Sequence, residues 1–151
     1  MTFLVLAQVA ALSLWFVSSA TLPGMMAEVA MSSSQQAALS SAVQLGFVLG
    51  AFVSAFLGIA DRFDPRRVLA LCACIAAGAN LGLAFVSPAS PVAVILRLIT
   101  GIMLAGVYPV GMKIATGWGV KDRGLLVAIL VGALTFGSSL PYLAALMGGA
   151  D

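Results

Sequence analysis

Long stretches without a charged side chain alternate with short polar knots along this chain of 151 residues. Residues 29–60 and 68–96 contain no Asp, Glu, Lys or Arg, and between them stands the island Asp61-Arg62-Phe63-Asp64-Pro65-Arg66-Arg67. A hydrocarbon core about 30 Å thick is crossed by about 20 apolar helical residues. Two apolar runs of that length around one compact island therefore predict two membrane-spanning helices joined by a tight loop. The same reading along the whole chain predicts five spans, at about 3–22, 37–59, 67–86, 92–116 and 124–147.

The connections between spans carry their own signals. Pro23-Gly24 predicts a turn, and the run Ser32-Ser33-Ser34-Gln35-Gln36 offers caps for the helix that follows. Ser87-Pro88-Ala89-Ser90-Pro91 breaks the chain between the third and fourth spans, because neither proline can donate a backbone hydrogen bond. These two connections contain no Lys or Arg. The connection 61–67 holds Arg62, Arg66 and Arg67, and 113–123 holds Lys113, Lys121 and Arg123, so six of the seven basic residues gather on one side. Basic loops stay in the cytoplasm, which places the amino terminus there and Asp151 outside. A secretory signal in the first span is the competing reading, since Ser18-Ser19-Ala20 has the small residues of a cleavage site; no basic residue precedes that span, and four more follow it.

Composition narrows the class further. Hydrophobic residues make up 62% of the chain and charged residues 8%, against about 25% charged in a soluble domain, and the mean hydropathy is +1.16. A lipid bilayer is the expected environment, with no room for a separate soluble domain. The formal net charge of +2 is confined to two loops and one intramembrane position, so there is no footprint for nucleic acid. There is no histidine, and Cys72 and Cys74, two apart on a helix, point to largely different faces. That argues against a metal site or a disulfide, and no cofactor is expected.

The candidate chemistry is sparse. Arg97 lies about five residues inside the outer end of the fourth span, where a charge costs about 2.5 to 3.5 kcal/mol and so faces a cavity or a partner, with snorkelling to the interface as the alternative. Helical arithmetic puts Arg97, Gly101, Leu104 and Tyr108 on one stripe. Pro109, flanked by Gly106 and Gly111, predicts a bend near Tyr108. Gly101, Ala105 and Gly106 also permit close helix packing, as do the pairs Gly46/Gly50 and Gly78/Gly82. Lys113 is expected to snorkel to the surface. Asp61 can pair with basic groups of the 113–123 connection, a charge lock that holds one conformation, or else sit in a solvated loop. Trp15 is mid-membrane, with Ser18 and Ser19 one turn further on.

Asp61-Arg62-Phe63 followed by Arg66-Arg67 resembles the signature Gly-x-x-x-Asp-Arg-x-Gly-Arg-Arg between the second and third helices of major facilitator superfamily transporters. Leu57 stands where the first glycine is expected, with Gly58 one place late, and Asp64-Pro65 disturbs the second glycine. The fourth span resembles that family too: Arg97-Leu98-Ile99-Thr100-Gly101-Ile102-Met103-Leu104-Ala105-Gly106 follows Arg-x-x-x-Gly-x-x-x-(small)-Gly. The resemblance implies an all-α integral membrane fold, five transmembrane helices of a six-helix half, with the remaining helix and the carboxyl-terminal half missing. It implies transport of a small solute by alternating access and location in a bacterial inner (plasma) membrane. It makes Asp61, Arg62, Arg66 and Arg67 a conformational-switch loop. Because the first and fourth helices line the family's cavity, it makes Arg97, Gly101, Tyr108, Trp15, Ser18 and Ser19 cavity or substrate candidates.

No carboxylate falls in the middle of a span, so a proton relay through these helices alone is hard to build. The charge at Arg97 tilts the reading toward an anionic solute. The fifth span holds Gly132, Thr135, Gly137, Ser138, Ser139 and Pro141, able to expose backbone to a polar path, but lacks the Gly-Pro pair of the drug-antiporter branch. The alternative function is a small multi-span structural or regulatory subunit. An enzyme is disfavoured, because no span pairs a nucleophile with a base.

Overall fold

The structure, a computed structural model, describes residues 2–118 and 123–148. Seven helices follow one another: α1 Thr2–Glu28, α2 Ser33–Leu57, α3 Ile59–Arg62, α4 Pro65–Leu83, α5 Pro91–Leu104, α6 Tyr108–Trp118 and α7 Arg123–Gly148. Among the described residues, four stretches are long and apolar enough to cross a membrane, Ser33–Leu57, Pro65–Leu83, Pro91–Gly117 and Gly124–Ala144, and α1 carries the shorter apolar stretch Phe3–Val17.

Local chemistry sets most of the helix ends. Ser32 caps α2 in a reciprocal arrangement: its hydroxyl accepts from the Gln35 amide, and the Gln35 side chain accepts from the Ser32 backbone N–H at 2.9 Å. Asp64 and Ser90 cap α4 and α5, and Pro65 and Pro91 open those helices where a missing N–H costs nothing. At the far end of α2, Gly58 adopts a left-handed conformation with φ +59°, which a side chain would resist. The glycine that stands one place late in the sequence signature thus ends the helix and lets the chain turn into α3. Asp61 and Arg62 consequently sit on a short helix rather than in a loop.

The turn at Pro23-Gly24 does not form, and α1 runs on to Glu28. Proline removes one hydrogen bond while keeping a helical φ, and in an apolar medium a continued helix satisfies the neighbouring backbone groups better than a turn does. The fourth span is distorted beside Tyr108, as Pro109 predicts: it divides into α5 and α6, with the break at Ala105–Val107. Pro109 cannot donate to the Ala105 carbonyl, so the chain tightens just before it. Gly106 N–H donates to Met103 O at 2.9 Å and Val107 N–H to Leu104 O at 3.0 Å, both one residue shorter than an α-helical bond.

The helices pack chiefly as α2 against α5, α1 against α7 and α4 against α5. Missing side chains make the first two contacts possible. A β-carbon on Gly50 would lie 2.8 Å from Ile102 Cα, and one on Gly101 2.8 Å from Phe47 N, so α2 and α5 touch backbone to backbone. Gly137 similarly meets Val9 O of α1. Gly78 has nothing within 4 Å and Gly82 only ordinary contact with Leu96, so that pair is not the close-packing site its spacing suggested. Large apolar side chains such as Phe56 and Phe85 point outward at more than 80% exposure, as a lipid-facing surface does and a water-facing one does not. The start of α1, the island and the end of α6 share one end of the bundle, and Ser32 and Ser90 share the other, where Gln35 Nε2 donates to Ala89 O at 3.3 Å.

Candidate functional site

At the island end, α6 delivers Lys113 to the turn between α2 and α4. Its ammonium donates to Ala60 O at 2.6 Å and forms an ion pair with Asp61. Lys113 therefore reaches the exposed end of the bundle and there ties α6 to α3, and Asp61 has found a basic partner from the 113–123 segment. The hydrogen bond from Lys113, with its charge, holds the Asp61 carboxyl below the usual carboxylate range despite a small opposing effect of desolvation. The other island residues are looser. Arg66 lends only its backbone N–H to Asp64 Oδ1, at 2.9 Å, and Arg67 Nε stands 3.9 Å from Asp64 Oδ2 in an exposed pair. An exposed pair of that kind is worth about 0 to 1 kcal/mol. Arg62 makes no ion pair among the described residues.

Deeper in the bundle, Arg97 is fully buried. Its Nη1 donates to Leu14 O at 2.9 Å, halfway along α1, while Nε and Nη2 have no hydrogen-bond partner among the described residues. The snorkelling alternative would carry the guanidinium to the bundle end, and the structure turns it inward instead. Beside Leu14, Trp15 packs edge-on against Phe47 of α2, ring centroids 5.0 Å apart at 64°. One layer of the bundle therefore holds a buried cation with free donors and an aromatic pair on the adjacent helices.

The remaining candidates are dispersed. Gly101 is buried in the α2–α5 contact. Leu104 is fully buried and Tyr108 partly so, and the Tyr108 phenol makes no hydrogen bond among the described residues. The side chains of Ser18 and Ser19 lie outside the described residues, as do Lys121, Asp122 and Asp151. In α7, Thr135, Ser138 and Ser139 each donate to a carbonyl of their own helix.

Three buried or part-buried amide and hydroxyl groups escaped the sequence reading. Gln8 of α1 is 1% exposed, and its Nε2 donates to Val107 O at 3.2 Å and Tyr108 O at 3.5 Å. Asn80 of α4 donates to Thr100 Oγ1 of α5 at 3.1 Å, and Thr100 in turn donates to Leu96 O. Oxygens Gln8 Oε1 and Asn80 Oδ1 are buried without a partner among the described residues. The available signal was an amide standing alone in an apolar run, a weaker mark than a charge but of the same kind.

Against models of protein families, the chain matches the Major Facilitator Superfamily over residues 4–150. No curated protein and no solved structure matches it.

Proposed function

Because the chain belongs to the Major Facilitator Superfamily, we propose that its helices form part of a secondary transporter that carries an anionic small solute by alternating access against a second helical half. The protein is a multi-pass integral membrane protein of a family that transports solutes. The anionic preference rests on one observation, the buried Arg97 guanidinium with Nε and Nη2 unpartnered and no carboxylate within ion-pair distance among the described residues. A charge at this depth calls for a counter-charge, and two free N–H donors of a planar fork suit a carboxylate or phosphate.

The Asp61–Lys113 pair supports a switch at the island end, since it ties α3 to α6 only while the two helices keep this spacing. The one-sided placement of Lys and Arg supports a cytoplasmic island and amino terminus. Arg97 decides the reading. In the full-length transporter, Arg97→Ala should lower uptake of small carboxylates and phosphates at least about tenfold, the loss of about 1.4 kcal/mol of transition-state stabilisation, with membrane levels near normal. Arg97→Lys should recover little, because the planar fork is lost. Undiminished uptake by Arg97→Ala would reduce Arg97 to a packing residue.

A further inference from the structure

We infer that Gln8 is a positioning residue: its amide latches the α5–α6 break onto α1, and release of that latch lets α6 move relative to α5. Three independent features meet at this point. Pro109 breaks the α5–α6 span at Ala105–Val107, leaving two short helices without a continuous hydrogen-bond ladder between them. Gln8 crosses from α1 to the carbonyls of Val107 and Tyr108, the residues where α6 begins. Gly111, one turn into α6, has no side chain, and a β-carbon there would lie 2.8 Å from Gln8 Cδ. The amide thus occupies the space that any other residue at position 111 would fill.

The chemistry of the amide makes the latch conditional. Both of its neighbours are carbonyl oxygens, which only accept, so Nε2 must face them and Oε1 must face away. Oε1 is then buried without a donor among the described residues. An unsatisfied buried acceptor carries its full desolvation cost. The two bonds Nε2 makes are therefore partly offset by the orphaned oxygen, and the contact is poised rather than locked. The same α1 is tied to α5 by the Arg97–Leu14 bond, on the other side of the break. One helix holds both halves of the broken span, and only the Gln8 hold bears on the half carrying Lys113, the partner of Asp61. Opening at Gln8 would swing α6 while Arg97 stays seated.

A thiol already in place reports on the break. Cys72 of α4 packs against Gly106, where a β-carbon would lie 3.2 Å from Cys72 Cβ. Alkylation needs the thiolate and access to water, so its rate follows the population in which the break is open. The experiment measures N-ethylmaleimide labelling of Cys72 in membrane vesicles, with Cys74→Ser leaving Cys72 as the one thiol of residues 1–151 and labelling read on the Cys72 peptide. Gln8→Leu and Gln8→Met keep volume and helix propensity but cannot donate, and each should speed labelling at least about fivefold. Gly111→Ala should do the same with Gln8 intact, by displacing the amide, and carries the test if the Gln8 variants fail to insert. Leu39→Ala, which loosens the fully buried core on α2 away from the break, should leave the rate near its starting value. Unchanged labelling in the Gln8 and Gly111 variants overturns the inference. An equal acceleration in Leu39→Ala also overturns it, since Gln8 would then be one packing side chain among many.

Discussion

Asp61 and Arg97 stand out in the sequence for one physical reason: a charge beside or within an apolar run is costly to place and so has a partner. For Asp61 the partner is Lys113, and its consequence is a pH dependence. The folded carboxyl is held below its ordinary range by that lysine. The ion pair therefore contributes at and above the ordinary carboxylate pKa of about 3.9, and is lost as pH falls through the lowered value. A membrane-impermeant carbodiimide, which modifies protonated carboxyls, should label Asp61 in inside-out vesicles only. Its onset should lie at lower pH in the native protein than in Lys113→Met. Coincident onsets would deny the pair an effect on Asp61, and labelling from the outer face would reverse the topology. Gln8 and Asn80 were not legible in the same way. A neutral amide in an apolar helix has no fixed meaning until the fold shows which carbonyl or hydroxyl it meets, and for Gln8 those carbonyls lie about a hundred residues away.

Helices were legible from the length of the apolar runs, and so were the joints at Ser32 and at Ser90-Pro91, whereas the continuation of α1 through Pro23-Gly24 was not. The reading of Pro23-Gly24 as a turn weighed one lost hydrogen bond against none, when the bilayer sets it against the several that a turn would leave unpaired. Similarly, Pro109 announced a distortion, but the tightened bonds to Met103 and Leu104 put it at Ala105–Val107. Small-residue spacing is equally ambiguous, since Gly46/Gly50 and Gly78/Gly82 read alike and only the first pair touches a neighbouring backbone. That difference predicts opposite outcomes. Gly101→Ala, forced into α2, should destabilise the detergent-solubilised protein by about 1 to 3 kcal/mol. Gly78→Ala meets open space and should be neutral or stabilise by about 0.4 to 1 kcal/mol through helix propensity. Thermal unfolding of the two variants side by side checks this, and equal melting temperatures would refute the α2–α5 contact.

The whole molecule is a bundle whose central layer holds Arg97 against α1 and whose island end is closed by Lys113 on Asp61. The class of the protein was legible because composition and charge-free runs exclude a soluble fold, and because one motif falls between the second and third spans and the other in the fourth. The solute was not, because the free nitrogens of Arg97 define a complementary charge and no shape. Alternating access requires one helical half to rock against another around a site near the bilayer midplane, and that requirement is the central claim. It is tested by reconstituting residues 1–151 in liposomes, alone and together with a second helical half, and measuring uptake of a panel of small carboxylates, phosphates, sugars and amphipathic cations. Saturable uptake of an anion with both halves present, and none from residues 1–151 alone, is the predicted result; saturable uptake by residues 1–151 alone would contradict it.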